Sequence, residues 1–292
     1  MLYISNEEYR KKEGVSSSVL KKLLISDAHY QYVLDHGWPH TDATTLGDAI
    51  HAYFLEPERF NGMYTKEIEL YKRATGDFKA GDPKLDDEGN PLTQLTHSTD
   101  SSMNIKGEQY KKFVEMVDAV HNCPEAMLIL NNRENVEASF FGQYMGTPIK
   151  VRCDCMYRDV NGKLWVVDLK TVGGTKERPS DPQNFAYDLF DKGYDLQAYM
   201  YVELIRETYP DVVGFKFICI DAKCPSGVKI YDIVRGESDW YELGGYRFRD
   251  AMYRYSRFQR METHNKYDKV NDSVELSFNA ADALAVYREG ER

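Results

Sequence analysis

Asp168 and Lys170, two residues apart in KLWVVDLKTV, carry the clearest chemistry in this chain. Alternate side chains of an extended strand share a face, so Val166, Asp168 and Lys170 point one way while Trp165, Val167 and Leu169 point the other. A solvated Asp-x-Lys pair on a surface hairpin is common and contributes little. Here, however, the apolar run before Asp168 marks a buried strand, where a carboxylate without a partner is costly. A second strand, TPIKVRCDCMY, groups Lys150, Arg152 and Asp154 by the same rule, and a turn containing Asn161 and Gly162 joins the two. A two-residue loop would pair Asp154 with Leu169 and send the aspartates to opposite faces. A three-residue loop over Val160, Asn161 and Gly162, with Gly162 left-handed, would set Asp154 directly across from Asp168. In that register two carboxylates about 5 Å apart either share a proton or bind a cation. Oxygen ligands without a thiolate pair favour Mg²⁺ or Mn²⁺ over Zn²⁺. Lys170 beside such an ion can orient or deprotonate a water and neutralise a phosphate, a set suited to phosphodiester hydrolysis.

These strands need a scaffold, and the chain reads as mixed α/β. VSSSVLKKLLISDAHYQYVLDHG has helical spacing, with serines to cap it and Gly37 to end it. TTLGDAIHAYFLEPERF predicts a second helix stopped near Pro57, with Gly47 and His51 one turn apart. Residues 75–104 are rich in Gly, Asp, Pro, Ser and Thr and predict a long mobile loop. A helix over 106–121 precedes the strands VEASFFGQYM, TPIKVRCDCMY and KLWVVDLKTV. After them come a helical stretch over 181–209 broken near Gly193, strands VVGFKFICID and KIYDIV, and a long final helix. The tail from Asn279 reads as a short helix or a frayed end. We expect one domain over 1–292, with N-terminal helices over 1–60, a catalytic core over 134–222 and a C-terminal helix over 236–262.

Composition narrows the function classes. At 292 residues and 42% hydrophobic content the chain can bury a sizeable core. No stretch approaches the roughly 18 apolar residues of a membrane helix, and the N-terminus lacks an apolar signal-peptide centre, so a cytoplasmic protein is expected. The five cysteines, Cys123, Cys153, Cys155, Cys219 and Cys224, are odd in number in a long chain without a secretion signal, which argues against a disulfide framework, and they form no CxxC pair, which argues against zinc and iron-sulfur clusters. Cys153 and Cys155 alternate with charged neighbours and are expected on one strand face as core residues. A net charge of -10 offers no general attraction to nucleic acid, so any DNA site must be local.

Several ordered segments together carry a resemblance: ISNEEYRKKEGVSSSVLKKLLISDAHY, LGDAIHAYFLEPERF, the strand at Glu137, KVRCDCMY, DLKT and DLQAYMY. They resemble the RecB-like and RecE-type branch of the PD-(D/E)xK nucleases, exonucleases of prophage recombination systems. The resemblance implies a restriction-endonuclease-like α/β core, a central mixed β-sheet flanked by helices. It also implies metal ligation by His51, Asp154, Asp168 and the Leu169 backbone carbonyl, with Lys170 as the catalytic lysine and Glu137 helping to position metal or water. Gln197 and Tyr201, at i and i+4 on one helix face, look like the QxxxY motif of this branch. A lone His51 on an apolar helix is otherwise read as a packed core residue, and Tyr201 as part of an amphipathic helix. Only Cys219 and Cys224 follow Lys170, so no iron-sulfur cluster is expected.

The same resemblance implies a Mg²⁺-dependent (Mn²⁺ substituting) 5′-to-3′ double-stranded DNA exonuclease that releases 5′-mononucleotides. It would be a homo-oligomeric ring, trimer or tetramer, leaving 3′ overhangs for a single-strand annealing recombinase. Arg247, Arg249, Arg254, Arg257 and Arg260 fall on one arc of the last helix, opposite Phe248, Met252, Tyr255 and Phe258. Such an arc is either a solvated basic face or a DNA-lining one; on the second reading Arg254 and Arg257, with Arg152, contact DNA. Ser16 and Ser18 could hold a terminal 5′-phosphate on free helix N–H groups, though capping explains them equally. The competing expectations are an endonuclease or flap nuclease on the same fold and a non-catalytic DNA-binding or assembly protein.

Overall fold

The computed structural model describes residues 1–37, 42–173, 177–261 and 286–290. In chain order the elements are α1 (Asn6–Lys11), α2 (Ser17–Ile25), α3 (Asp27–His36), α4 (Asp42–Leu55), α5 (Pro57–Met63), β1 (Tyr64–Ile68), β2 (Thr93–His97), α6 (Glu108–His121) and α7 (Pro124–Asn131). There follow β3 (Arg133–Glu134), β4 (Ser139–Tyr144), β5 (Thr147–Arg152), β6 (Cys155–Arg158) and β7 (Leu164–Val172). The chain continues through α8 (Pro182–Asp191), α9 (Tyr194–Arg206), β8 (Val212–Asp221), β9 (Val228–Val234) and α10 (Asp239–Phe258).

A five-stranded mixed sheet, ordered β3-β6-β7-β8-β9, organises the molecule. β7 is its central strand, buried from Leu164 through Leu169, and its apolar run suits a strand covered on both faces. It pairs antiparallel with β6 and parallel with β8, and α8 and α9 supply the crossover that a parallel pair requires. The sheet separates two cores. On one face Met156, Leu164, Val166, Phe215 and Phe217 pack with Leu20 of α2, Leu196 and Met200 of α9, and Phe248 of α10. On the other, Tyr157, Trp165, Val167, Leu169 and Ile218 pack with Ile50 and Phe54 of α4, Met116 of α6 and Ile129 of α7. The expected class, a mixed sheet flanked by helices, is the one observed.

Four expectations change in detail. The segment predicted as one N-terminal helix is two, because Ser26 adopts an extended backbone and its side chain accepts the His29 N–H as a new N-cap. Residues 75–104 are not one long loop: β2 pairs with β1 and buries Leu95, behind outward-facing polar residues that disguise the strand. TPIKVRCDCMY is broken at Cys153 and Asp154, so β5 joins β4 in a separate two-stranded sheet while β6 joins the main one. In consequence Cys153 and Cys155 lie in the two different cores rather than on one face. The last helix spans Asp239–Phe258, a little shorter than 236–262. Of the tail, residues 286–290 are helical, and 279–285 lie outside the described residues.

Candidate active site

The hairpin between β6 and β7 settles the register. Cys155 pairs with Val167 and Arg158 with Leu164, which continues to Asp154 opposite Asp168. The loop is the three-residue form: Asp159 N–H donates to the Lys163 carbonyl, Gly162 N–H donates to the Asp159 carbonyl, and Gly162 has a φ of 76°. The Asp159 carboxylate locks the turn by accepting from the N–H groups of Asn161 and Lys163 and from the Trp165 indole.

Asp154 sits at the bend where the chain leaves one sheet for the other. Its Oδ2 accepts the Leu169 N–H at 2.8 Å. His51 reaches the same place from α4, with Nε2 2.8 Å from the Leu169 carbonyl and Nδ1 3.4 Å from Asp154 Oδ2. The close approach of α4 to β7 depends on Gly47, where a Cβ would come within 3.2 Å of Thr171 Oγ1. Glu137 precedes β4 with a φ of 53°, its N–H donating to the Asp154 carbonyl, and this bulge-like backbone turns its carboxylate inward. One ligand atom each from His51, Glu137 and Asp154 lies within 4.8 Å of the others.

Asp168 stands beside this cluster. Its Oδ1 accepts from Gln197 Nε2 at 2.6 Å and its Oδ2 lies 2.5 Å from Lys170 Nζ. The structure therefore brings together His51, Glu137, Asp154, Asp168, Leu169, Lys170 and Gln197. Tyr201, one turn beyond Gln197, is partly buried and packs its ring edge-on against Phe215 of β8.

The electrostatics are those of crowded acids in a poorly solvated site. Burial pushes the Asp154 carboxyl up, His51 opposes this, and Asp168 adds to it, for a pKa of about 7. Burial disfavours charge on His51, yet Asp154 and then Asp168 outweigh it and raise its pKa. Lys170 follows the same pattern: burial opposes its charge, Asp168 overcomes that, and the ammonium is held protonated. Two carboxylates and an imidazole that converge within 4.8 Å of one another form a set that fits a divalent metal ion.

The arginines expected to contact DNA are bonded within the protein. Arg152 Nε bonds Glu137 and its guanidinium donates to the Ile4 carbonyl at 2.7 Å, pinning the N-terminal segment. Arg254 bonds Asp250, and Arg257 bonds Asp27 of α3. Arg247, placed on the basic arc by the sequence, is instead buried, donating to Asp195 at 2.6 Å and to the Phe190 carbonyl. The arc is therefore interrupted, because α10 is packed against α9 and α2 rather than free on that side. Ser16 starts α2 without a side-chain capping bond, and Ser18 is exposed.

The sequence reading passed over Lys21 and Tyr194. Lys21 Nζ donates to Gln197 Oε1 at 2.5 Å, and the ammonium groups of Lys21 and Lys170 each lie 4.8 Å from the Tyr194 ring centroid. The signal for Lys21 was its position four residues after Ser17 on the face carrying Leu20 and Leu24, a charge where an apolar residue is expected.

No curated protein matches this chain. Among solved structures, a candidate exonuclease from Eubacterium rectale superposes with a TM-score of 0.60 at 14% identity, covering 94% of this chain and 97% of that one. A second structure, SSO0001, aligns over 50% of this chain and 68% of its own with 20% identity and a TM-score of 0.28, a likeness that carries no argument. The profile of the PDDEXK-like domain of unknown function (DUF3799) matches residues 16–271, the helices, sheet and hairpin just described, and the chain belongs to that family.

Proposed function

We propose that this chain is a metal-dependent deoxyribonuclease that digests the ends of duplex DNA. The observation that carries the reading is the convergence of Asp154, Asp168 and Lys170 on the β6–β7 hairpin beneath His51. A divalent cation held by His51, Glu137 and Asp154 would neutralise charge on the scissile phosphate. Lys170, kept cationic by Asp168, donates toward a phosphate oxygen and offsets the charge that grows there in the transition state. Water attacks phosphorus and gives up a proton to solvent, the bond to the 3′-oxygen breaks, that oxygen takes up a proton as it leaves as a hydroxyl, and the released product keeps its 5′-phosphate. Gln197 fixes Asp168 from behind, so that its carboxylate and Lys170 keep one geometry.

The finer reading is a 5′-to-3′ exonuclease of a prophage recombination system, acting as a trimeric or tetrameric ring and passing 3′ overhangs to a single-strand annealing recombinase. It is supported by the resemblance to the RecE-type nucleases and by the fold shared with the Eubacterium rectale candidate exonuclease. The test is digestion of linear duplexes labelled at one end or the other, beside a closed circle, with Mg²⁺ or Mn²⁺. Early release of the 5′ label with circles intact supports this reading, early 3′ release reverses the polarity, and cut circles indicate an endonuclease.

A further inference from the structure

Resting on the nuclease reading, we propose that Lys21 is a positioning residue of the active site, acting on Asp168 through the Gln197 amide. Gln197 is buried between the two, its amide nitrogen 2.6 Å from Asp168 Oδ1 and its amide oxygen 2.5 Å from Lys21 Nζ. An amide has one donor end and one acceptor end, and only the donor end suits a carboxylate. Lys21 decides which end that is. Its Nζ donates to Oε1, so a flipped amide would set oxygen against Asp168 and NH₂ against the Lys21 donor. Without Lys21 the oxygen is a buried acceptor with no such donor, and the amide loses its reason to face one way.

The surroundings are shaped for this lysine. Gly193, the N-cap of α9, has a φ of 64°, and a Cβ there would come within 3.0 Å of Lys21 Cγ. The next residue, Tyr194, presents its ring to the ammonium groups of both Lys21 and Lys170 at 4.8 Å, a favourable seat for cations. One segment, Gly193 to Gln197, thus accommodates the Lys21 stem, places a ring under its Nζ and receives its hydrogen bond. The line Lys21, Gln197, Asp168, Lys170 runs from α2 through α9 to β7, so the orientation of the catalytic acid depends on a helix distant in sequence.

The experiment compares the parent with Lys21→Met, Lys21→Arg, Gln197→Leu and the Lys21→Met/Gln197→Leu double variant, by side-chain amide NMR and by cleavage kinetics. The Gln197 NH₂ signals are identified by their loss in Gln197→Leu. In Lys21→Met they should shift and lose exchange protection, while Lys21→Arg, which keeps a donor, should retain them. Cleavage by Lys21→Met should fall by about 10- to 100-fold in kcat with KM for DNA little changed, as for other groups that orient a site from behind. The double variant should be no worse than the poorer single one. Unmoved amide signals, a rise in KM alone, or singly additive losses in the double variant would each overturn the proposal. Should the parent cut no DNA, the nuclease reading fails, and the amide signals still decide whether Lys21 sets Gln197. Should Lys21→Met not fold, Lys21→Leu, which also removes the donor, replaces it in the same comparison.

Discussion

Asp154 accepts the backbone N–H of Leu169, the residue between Asp168 and Lys170, so the acid of one strand is bonded to the peptide that joins the acid and base of the next. Any shift of the hairpin register would break that bond and separate the aspartates together. The site is thus a property of the turn at Gly162 as much as of the residues it contains.

That turn gives the first prediction. Gly162 is left-handed and a Cβ there would meet nothing within 4 Å, so the effect of substitution is backbone strain alone. Gly162→Ala should cost about 1 kcal/mol of stability, and Gly162→Asn less, since Asn tolerates this conformation. Urea unfolding of the two variants measures it; equal stability for all three chains would mean the loop is not held as described.

A second prediction concerns pH. The Asp154 carboxyl is raised by burial, and further by Asp168 against the pull of His51, from 3.8 to about 7. Between these values the folded chain binds a proton that the unfolded chain has lost, so this group's contribution to stability is full at the acid end and falls as pH rises through about 7. A divalent cation bound at Asp154 would replace the proton. Mn²⁺ should therefore raise the melting temperature more at about pH 8 than at about pH 6, and Asp154→Asn should remove that difference. Melting curves with and without Mn²⁺ would show it, and an equal gain at both pH values would count against the assigned ligand.

Arg247 and Asp195 form a buried pair between α10 and α9, with Asp195 fully inaccessible. Arg247→Met leaves an unpaired buried carboxylate and should cost about 3–5 kcal/mol, whereas Arg247→Met with Asp195→Leu should recover much of the loss. Denaturant unfolding of the single and double variants checks this. A single variant as stable as the parent would contradict the pairing.

His51→Ala removes one of the three converging ligand atoms and the partner of the Leu169 carbonyl. Cleavage should fall by about 100-fold or more, the scale for losing a group that stabilises transition-state charge. Calorimetric titration should show weaker Mn²⁺ binding. Unchanged metal affinity would remove His51 from the site.

Much of this arrangement was legible in the residues themselves. Strand alternation put Asp168 and Lys170 on one face, and the left-handed preference of Gly162 made the register that joins them to Asp154 one of two choices. The helix break at Gly193 and the buried strand of β8 were plain from glycine and from the apolar run VVGFKFICID. What the residues concealed came from tertiary contacts. Nothing local shows that the chain changes sheets at Asp154, because the change is imposed by pairing with Ser139 to Tyr144 on one side and β7 on the other. The burial of Arg247 was hidden for the same reason, since its partner Asp195 is 52 residues away. Strand β2 was missed because its outward residues are polar and its single buried leucine gives a faint alternation.

The most direct test is cleavage of linear duplex DNA by the purified chain with Mg²⁺ or Mn²⁺, set beside Lys170→Ala, Asp154→Asn and a chelator. The account predicts metal-dependent degradation by the parent, abolished by the chelator and by either substitution while both variants remain folded. Degradation that persists in folded Lys170→Ala and Asp154→Asn, or a parent that cuts no DNA with either metal, would contradict it.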